Sequence, residues 1–367
     1  MTTTASLTTE LTAHIAGEMA ATGGWMGFDR FMALALYTPG LGYYANHSRK
    51  FGTMPESGSD FVTAPEMTPL FGRTLAVQVG QALAATQTTE VWEFGAGSGA
   101  LALQLLQSLG HQVARYTIVD LSGTLRERQQ ATLAAYGDKI RWLNELPEAM
   151  QGVIVGNEVL DAMPVQMLVR QGGVWHERGV ALHDGAFAWA DRVTSLRPPT
   201  EVPGPHDYLT EIHPQAEAFI RTLADRLTQG AAFFLDYGFP ESEYYHPQRH
   251  MGTLMCHRAH LADTDPLADV GLKDITAHVN FTGIALAAQD AGFEVAGYAS
   301  QARFLINCGL VSMLEDASLA DRTQALRLVN EHEMGELFKV VALTQPTPGG
   351  APWPLVGFAA GDRTHTL

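Results

Sequence analysis

The residues best placed to do chemistry are Glu93-Phe94-Gly95-Ala96-Gly97-Ser98-Gly99-Ala100. Gly95, Gly97 and Gly99 alternate, follow the apolar run VWEF and precede LALQLLQSL, which is the pattern of a strand, a tight turn and a helix start. Such a turn aims backbone N–H groups and the positive end of a helix at an anionic group, and glycine lets a ligand approach the backbone. Taken literally, Gly95, Gly97 and Ala100 satisfy the dinucleotide fingerprint, with Asp120 downstream for a ribose hydroxyl. The glycines alone therefore admit a nicotinamide dinucleotide, S-adenosylmethionine, or a bare turn without ligand. Glu93 helps to separate them. A pyrophosphate would sit near its carboxylate with no basic compensation in view, whereas the ammonium and sulfonium of a methionine moiety are favoured there. Asp120, ending IVDLS, is placed to accept from both ribose hydroxyls; a helix N-terminal carboxylate serving stability is the alternative.

The elements that must position these residues follow from hydrophobic periodicity. From Glu90 the chain alternates EVWEF, a helix over 98–109, YTIVDL, a helix over 123–136, KIRWL and GVIVGNEVL, which predicts a parallel sheet with helices on both faces. Residues 166–190 change to short strands with glycine turns, read as a β-hairpin insertion. A helix is expected from Ile212 to Leu227, then a buried strand GAAFFLDYG. FEVAGYASQ and FKVVALTQ read as two strands around a helical stretch; paired antiparallel, they would complete a seven-stranded sheet with its last strand reversed, the usual architecture of class I S-adenosylmethionine methyltransferases. The expected organisation is an N-terminal helical and lid segment over 1–85 and a Rossmann-like α/β domain over 86–345. The domain carries a β insertion at 166–205 and a helical insertion at 303–336, and a peripheral tail covers 346–367.

Composition excludes several function classes. The 367 residues are 46% hydrophobic, enough for a sizeable core. The net charge of -16, from 39 acidic and 23 basic side chains, repels polyanions and makes nucleic acid an improbable partner. No apolar run has the length of a membrane span, and the opening segment lacks the character of a presequence or signal peptide. Cys256 and Cys308 are far apart in sequence, so neither a disulfide framework nor a zinc ribbon is indicated, and the expected compartment is the reducing cytoplasm. The oligomeric state is not legible.

Longer blocks resemble the MidA-like family of S-adenosylmethionine-dependent methyltransferases, whose mitochondrial members are protein arginine methyltransferases that assist assembly of respiratory complex I. The resemblance rests on MALALYTPGLGYY, SDFVTAPEMTPLFGRTLA, EFGAGSGAL, VDLSGTLRERQ, GNEVLDAMPV, DYGF, GTL and DITAHVNF, in family order from about residue 28 to 308. Three departures stand out. Ser59 replaces the usual glycine before Asp60-Phe61, Ala96 replaces a proline in the turn, and Asn280 stands where the family usually has an aspartate. The resemblance implies S-adenosylmethionine as cofactor, S-adenosylhomocysteine as product, no metal, and a protein substrate, in the family's mitochondrial members a respiratory-complex context.

Methyl transfer from a sulfonium is an in-line displacement that needs alignment and exclusion of water. An arginine acceptor is always protonated, so carboxylates must bind it and concentrate electron density on one nitrogen. The loop after the fourth strand leaves the sheet beside the cofactor turn, and there Asn157 and Glu158 are expected at the methyl site, with Asp161 near it. Asp161 is equally a candidate helix cap, and Asn157 a loop-stabilising amide. Glu211 is a second candidate guanidinium clamp or a capping carboxylate, and His278 a proton acceptor or a core histidine. Arg73 is expected to reach the cofactor's carboxylate. Asp60, Phe61 and Thr63 lie in a long loop expected to close over the cofactor. A partner-binding assembly factor without turnover and an NAD-dependent oxidoreductase are the competing readings.

Overall fold

A strand-turn-helix repeat organises the chemistry-bearing half of the chain. The computed structural model describes residues 4–46, 62–120, 123–346 and 353–367. Asp60, Phe61 and most of the expected lid lie outside the described residues. The chain divides into two compact units: residues 1–61, 161–216 and 240–280 form the first, and residues 62–160, 217–239 and 281–367 the second. The division expected at residue 85 is therefore corrected, because helix Leu70–Thr86 buries Leu75, Val79 and Leu83 in the core of the second unit.

In the second unit the strands are β1 (Glu90–Phe94), β2 (Arg115–Val119), β3 (Ile140–Leu143), β4 (Met150–Asn157), β5 (Leu227–Phe239), β6 (Glu294–Ser300) and β7 (Phe338–Thr344). Their order is β6-β7-β5-β4-β1-β2-β3. The run from β5 to β3 is parallel, and β7 is antiparallel to both β5 and β6. Central strands buried on both faces must be apolar throughout, which is why VIVG and AAFFL read as continuous hydrophobic runs. The connecting helices include α1 (Ala64–Met67), α2 (Leu70–Thr86), α3 (Ala100–Leu109) and α4 (Gly123–Thr132). At Gly152, φ is +127° and a Cβ would collide with the Glu90 carbonyl oxygen, so only glycine allows β4 and β1 to lie together there.

The tail expected to be peripheral is built in. Phe358 is buried against Phe304, and Asp362 and Arg363 bond the Tyr298 backbone of β6 from both sides. A Pro-rich, Gly-rich composition marks irregular backbone and says nothing of what its aromatics cover.

In the first unit, strands Gln166–Gln171, Val174–His183 and Ala186–Val193 form the expected insertion, and the sheet gains Trp25–Gly27 and Tyr208–Ile212 at its ends. The helix expected from Ile212 instead spans Pro214–Arg226. YLTEI is claimed by the sheet because its backbone pairs with Gln166–Arg170 while Tyr208 and Thr210 are buried. Helices Thr4–Ala21 and Phe28–Tyr37 supply Leu11, Ile15, Met19, Phe28 and Phe31 to this unit's own core.

Candidate functional site

The turn between β1 and α3 forms because Gly95, Gly97 and Gly99 all take positive φ, at 65°, 51° and 84°, which costs residues with a Cβ about 1 kcal/mol or more each. A Cβ on Gly95 would also lie 2.9 Å from Val159 Cγ2, so the turn fits closely against the loop after β4. To present N–H groups to a ligand, the turn must satisfy its own carbonyls elsewhere. The Gly99 N–H takes the Ala96 carbonyl at 2.7 Å, Thr132 Oγ1 takes that of Ser98 at 2.8 Å, and Gln129 Nε2 takes that of Gly97 at 3.2 Å. Ser98 Oγ bonds Glu66 of α1, and Gln104 of α3 joins the Pro65 carbonyl to the Gly72 N–H. The TAPE segment thus braces the turn from the outside.

Two acidic side chains flank the turn. Glu93 is 2% exposed and its Oε2 accepts the Tyr116 hydroxyl at 2.7 Å. Burial pushes its carboxyl up to about 8; the Tyr116 bond opposes this and the negative field of Asp120 adds to it. A cation beside it would favour the carboxylate and so oppose that rise. Asp120, half-buried at the end of β2, accepts Gln129 Nε2 on Oδ2 at 2.8 Å.

The loop leaving β4 is held from below. Glu158 is a non-glycine residue at φ +54°, and its N–H donates to Leu235 O at 2.9 Å. Asp236, 1% exposed, receives the next two N–H groups on one oxygen, from Val159 at 3.1 Å and Leu160 at 2.9 Å. Asn157 Nδ2 donates to Glu158 Oε1 at 2.9 Å, while Asn157 Oδ1 is buried with no hydrogen-bond partner among the described residues. The left-handed conformation of Glu158 is thus fixed by backbone bonds on both sides, its own to Leu235 and those of the next two residues to Asp236.

Glu93, Gly95, Gly97, Gly99, Asp120, Asn157 and Glu158 therefore share the carboxyl edge of the second unit's sheet. Arg73 does not join them. It is exposed on α2 in a depression with Gln107, Ser108 and Met313, and Gln107 lies about 10 Å along α3 from the glycine turn. Thr63 is the residue before α1 and is half-buried.

In the first unit the expectation for Glu211 is corrected. It is fully buried, and its two oxygens accept the Thr253 and Leu254 N–H groups, the Thr253 hydroxyl at 3.0 Å and the Tyr244 hydroxyl at 2.9 Å. A carboxylate so occupied has no lone pair to offer a guanidinium. Asp161 is buried in a turn followed by a strand, not a helix, and its carbonyl accepts the Ala277 N–H. With burial, the negative charges of Asp274 and Asp161 raise the Tyr44 hydroxyl well above its ordinary range, and that hydroxyl donates to Asp274 at 2.8 Å. His278 is half-buried; its N–H bonds Thr253 Oγ1 and its carbonyl faces His213 Nε2 at 2.9 Å. Burial lowers the His213 imidazole to about 4.

Sequence reasoning missed Tyr116, Gln129, Asp236 and Glu66. Three of them stood in quoted blocks, VDLSGTLRERQ, DYGF and SDFVTAPEMTPLFGRTLA, but only their neighbours in space define what they do.

Known proteins identify the family and the cofactor. The family described as "Putative S-adenosyl-L-methionine-dependent methyltransferase" matches residues 71–299. A solved structure from Burkholderia thailandensis, described as a "likely methyl transferase" bound to S-adenosylhomocysteine, is 47% identical, covers 99% of this chain and 98% of its own, and superposes with a TM-score of 0.94. The mitochondrial protein arginine methyltransferase NDUFAF7 homolog of Caenorhabditis elegans is 27% identical over 91% of this chain and 87% of its own. The mitochondrial protein arginine methyltransferase NDUFAF7 of Danio rerio is 26% identical over 91% and 86%. S-adenosylmethionine is thus the cofactor, and the nicotinamide reading falls. The residues fit it: the carboxyl groups of Glu93 and Asp120 flank the turn and suit a sulfonium and an ammonium.

Proposed function

Because the chain belongs to the S-adenosyl-L-methionine-dependent methyltransferase family, we propose that it methylates an arginine side chain on a partner protein. The observation that carries this reading is Glu158, a carboxylate kept in a left-handed backbone position beside the cofactor turn. The cofactor supplies a methyl group on a sulfonium. Glu93 and the glycine turn hold the methionine portion, Asp120 the ribose, and Asn157 aims Glu158 through its amide. Glu158 binds the guanidinium and orients one nitrogen toward the methyl. That nitrogen gains the methyl as the sulfonium becomes a neutral thioether, one N–H proton passes to solvent or to His278, and Glu158 offsets the charge that persists on the product. Asp161 and His278 of the first unit stay assigned to the acceptor protein; Thr63, in the second, stays assigned to covering the cofactor. The names of the relatives support the arginine assignment, and the family resemblance supports a respiratory-complex subunit as the partner. Two buried free cysteines suit a reducing compartment, the cytoplasm, which fractionation and immunoblotting test.

Transfer of labelled methyl groups to lysate proteins, followed by amino-acid analysis, tests the proposal. Methylarginine is expected; label in lysine, a carboxyl ester or a small molecule refutes it. Glu158→Gln is expected to slow transfer about 100-fold with S-adenosylhomocysteine affinity unchanged. The buried Asn280, where the family usually carries an aspartate, favours one rival, a partner-binding factor without turnover. That rival predicts no labelled product and partner capture that survives Glu158→Ala.

A further inference from the structure

We infer that Gln129 is a positioning residue that sets Asp120 and the glycine turn in register for the cofactor's ribose. Gln129 is fully buried on α4, and its one amide serves three partners. Nε2 donates to Asp120 Oδ2 at 2.8 Å and to the Gly97 carbonyl at 3.2 Å, while Oε1 accepts the Trp142 indole N–H at 3.1 Å. The Trp142 bond fixes which end of the amide is nitrogen, because an indole can only donate. With the amide so oriented, both Nε2 hydrogens face acceptors of the site, one on the turn and one on the carboxylate at the end of β2. The two cofactor-facing features, carried by different strands, are thereby joined by one side chain. Thr132, three residues on, holds the Ser98 carbonyl at 2.8 Å, so α4 as a whole seats the turn. A buried amide bonded to a carboxylate restricts that carboxylate's rotation, which lowers the ordering needed when the ligand binds.

The inference rests on Asp120 holding the ribose hydroxyls, and the test separates the two claims. S-adenosylhomocysteine and its 2′,3′-dideoxy analogue are titrated by calorimetry into the full-length wild type and into Gln129→Met. Wild type is expected to prefer the natural ligand about 100-fold. Gln129→Met should weaken both ligands through the turn, and the natural ligand about tenfold more through Asp120, so that the preference falls to about tenfold. An unchanged preference in the variant overturns the role of Gln129 alone, since a purely structural residue would weaken both ligands alike. Absence of preference in wild type overturns the Asp120 assignment and the inference with it. Should Gln129→Met not fold, Trp142→Phe at a half-exposed site provides the same comparison, with the preference expected to fall about threefold; an unchanged ratio there refutes the inference.

Discussion

Replacing Glu93 by glutamine should abolish a pH dependence of stability that the wild type must show. The Glu93 carboxyl is 2% exposed, and burial pushes it up to about 8, against 4.5 for an ordinary glutamate. Between those values the folded protein keeps a proton that the unfolded chain has released. Because the unfolded state then binds fewer protons, stability falls as pH rises. The full difference of 8 minus 4.5, at 1.36 kcal/mol for each pH unit, amounts to about 5 kcal/mol. About 2.5 kcal/mol of it should disappear between pH 5 and pH 7, and the loss should level off above pH 9. Glutamine keeps the shape, still accepts the Tyr116 hydroxyl and cannot ionise. Urea unfolding of both proteins from pH 5 to pH 9, followed by tryptophan fluorescence, gives the difference directly. The wild type should lose stability relative to Glu93→Gln across this range. Parallel profiles would refute the argument, because they would mean that Glu93 carries the same charge folded and unfolded. The same proton should be released when a cationic cofactor binds. At pH 7 the heat of S-adenosylmethionine binding to wild type should therefore depend on the buffer's ionisation enthalpy, and that to Glu93→Gln should not.

Other perturbations test the supports of the site. Asp236→Ala leaves the Val159 and Leu160 N–H groups without their acceptor; a stability loss of about 2–4 kcal/mol by urea titration and a fall in methyl transfer with near-normal S-adenosylhomocysteine affinity are expected. Glu211→Gln turns an amide N–H toward the donors of Thr253 and Tyr244, costing about 3 kcal/mol of stability by thermal melting, while cofactor affinity of the folded protein stays unchanged. Gly95→Ala meets Val159 Cγ2 and a positive φ, so cofactor affinity should drop; adding Val159→Ala should restore part of it in the same titration, since the clash goes and the dihedral cost stays.

How far the sequence could be read depends on where the partners of each residue lie. The alternation from Glu90 to Asn157 was legible because each strand is an apolar run and each helix begins next to a glycine or polar break. Tyr208–Ile212 was not, since five residues with a helix start two positions later share their apolar spacing with that helix. Glu93 and Asp120 could be picked out because the turn between them is a local pattern. Glu211 was misread because the groups that occupy it, Thr253 and Tyr244, are more than thirty residues away in sequence. Gln129 and Asp236 went unnoticed for a related reason: each acts on backbone groups of another segment, and backbone carries no signature in sequence. Arg73 drew attention because it opens a helix just upstream of the sheet, but neither that place nor its charge reveals which side of the helix it projects from.

The bonding of Asp362 and Arg363 to Tyr298 bears on how the protein can be handled. β6 is the outermost strand of its sheet, and such a margin ordinarily invites pairing with another molecule. Here Asp362 and Arg363 take both backbone groups of Tyr298, so at that position the strand has no donor or acceptor left for another molecule. A variant in which Asp362 is replaced by alanine frees the Tyr298 N–H and is expected to scatter more light on concentration than the unaltered protein.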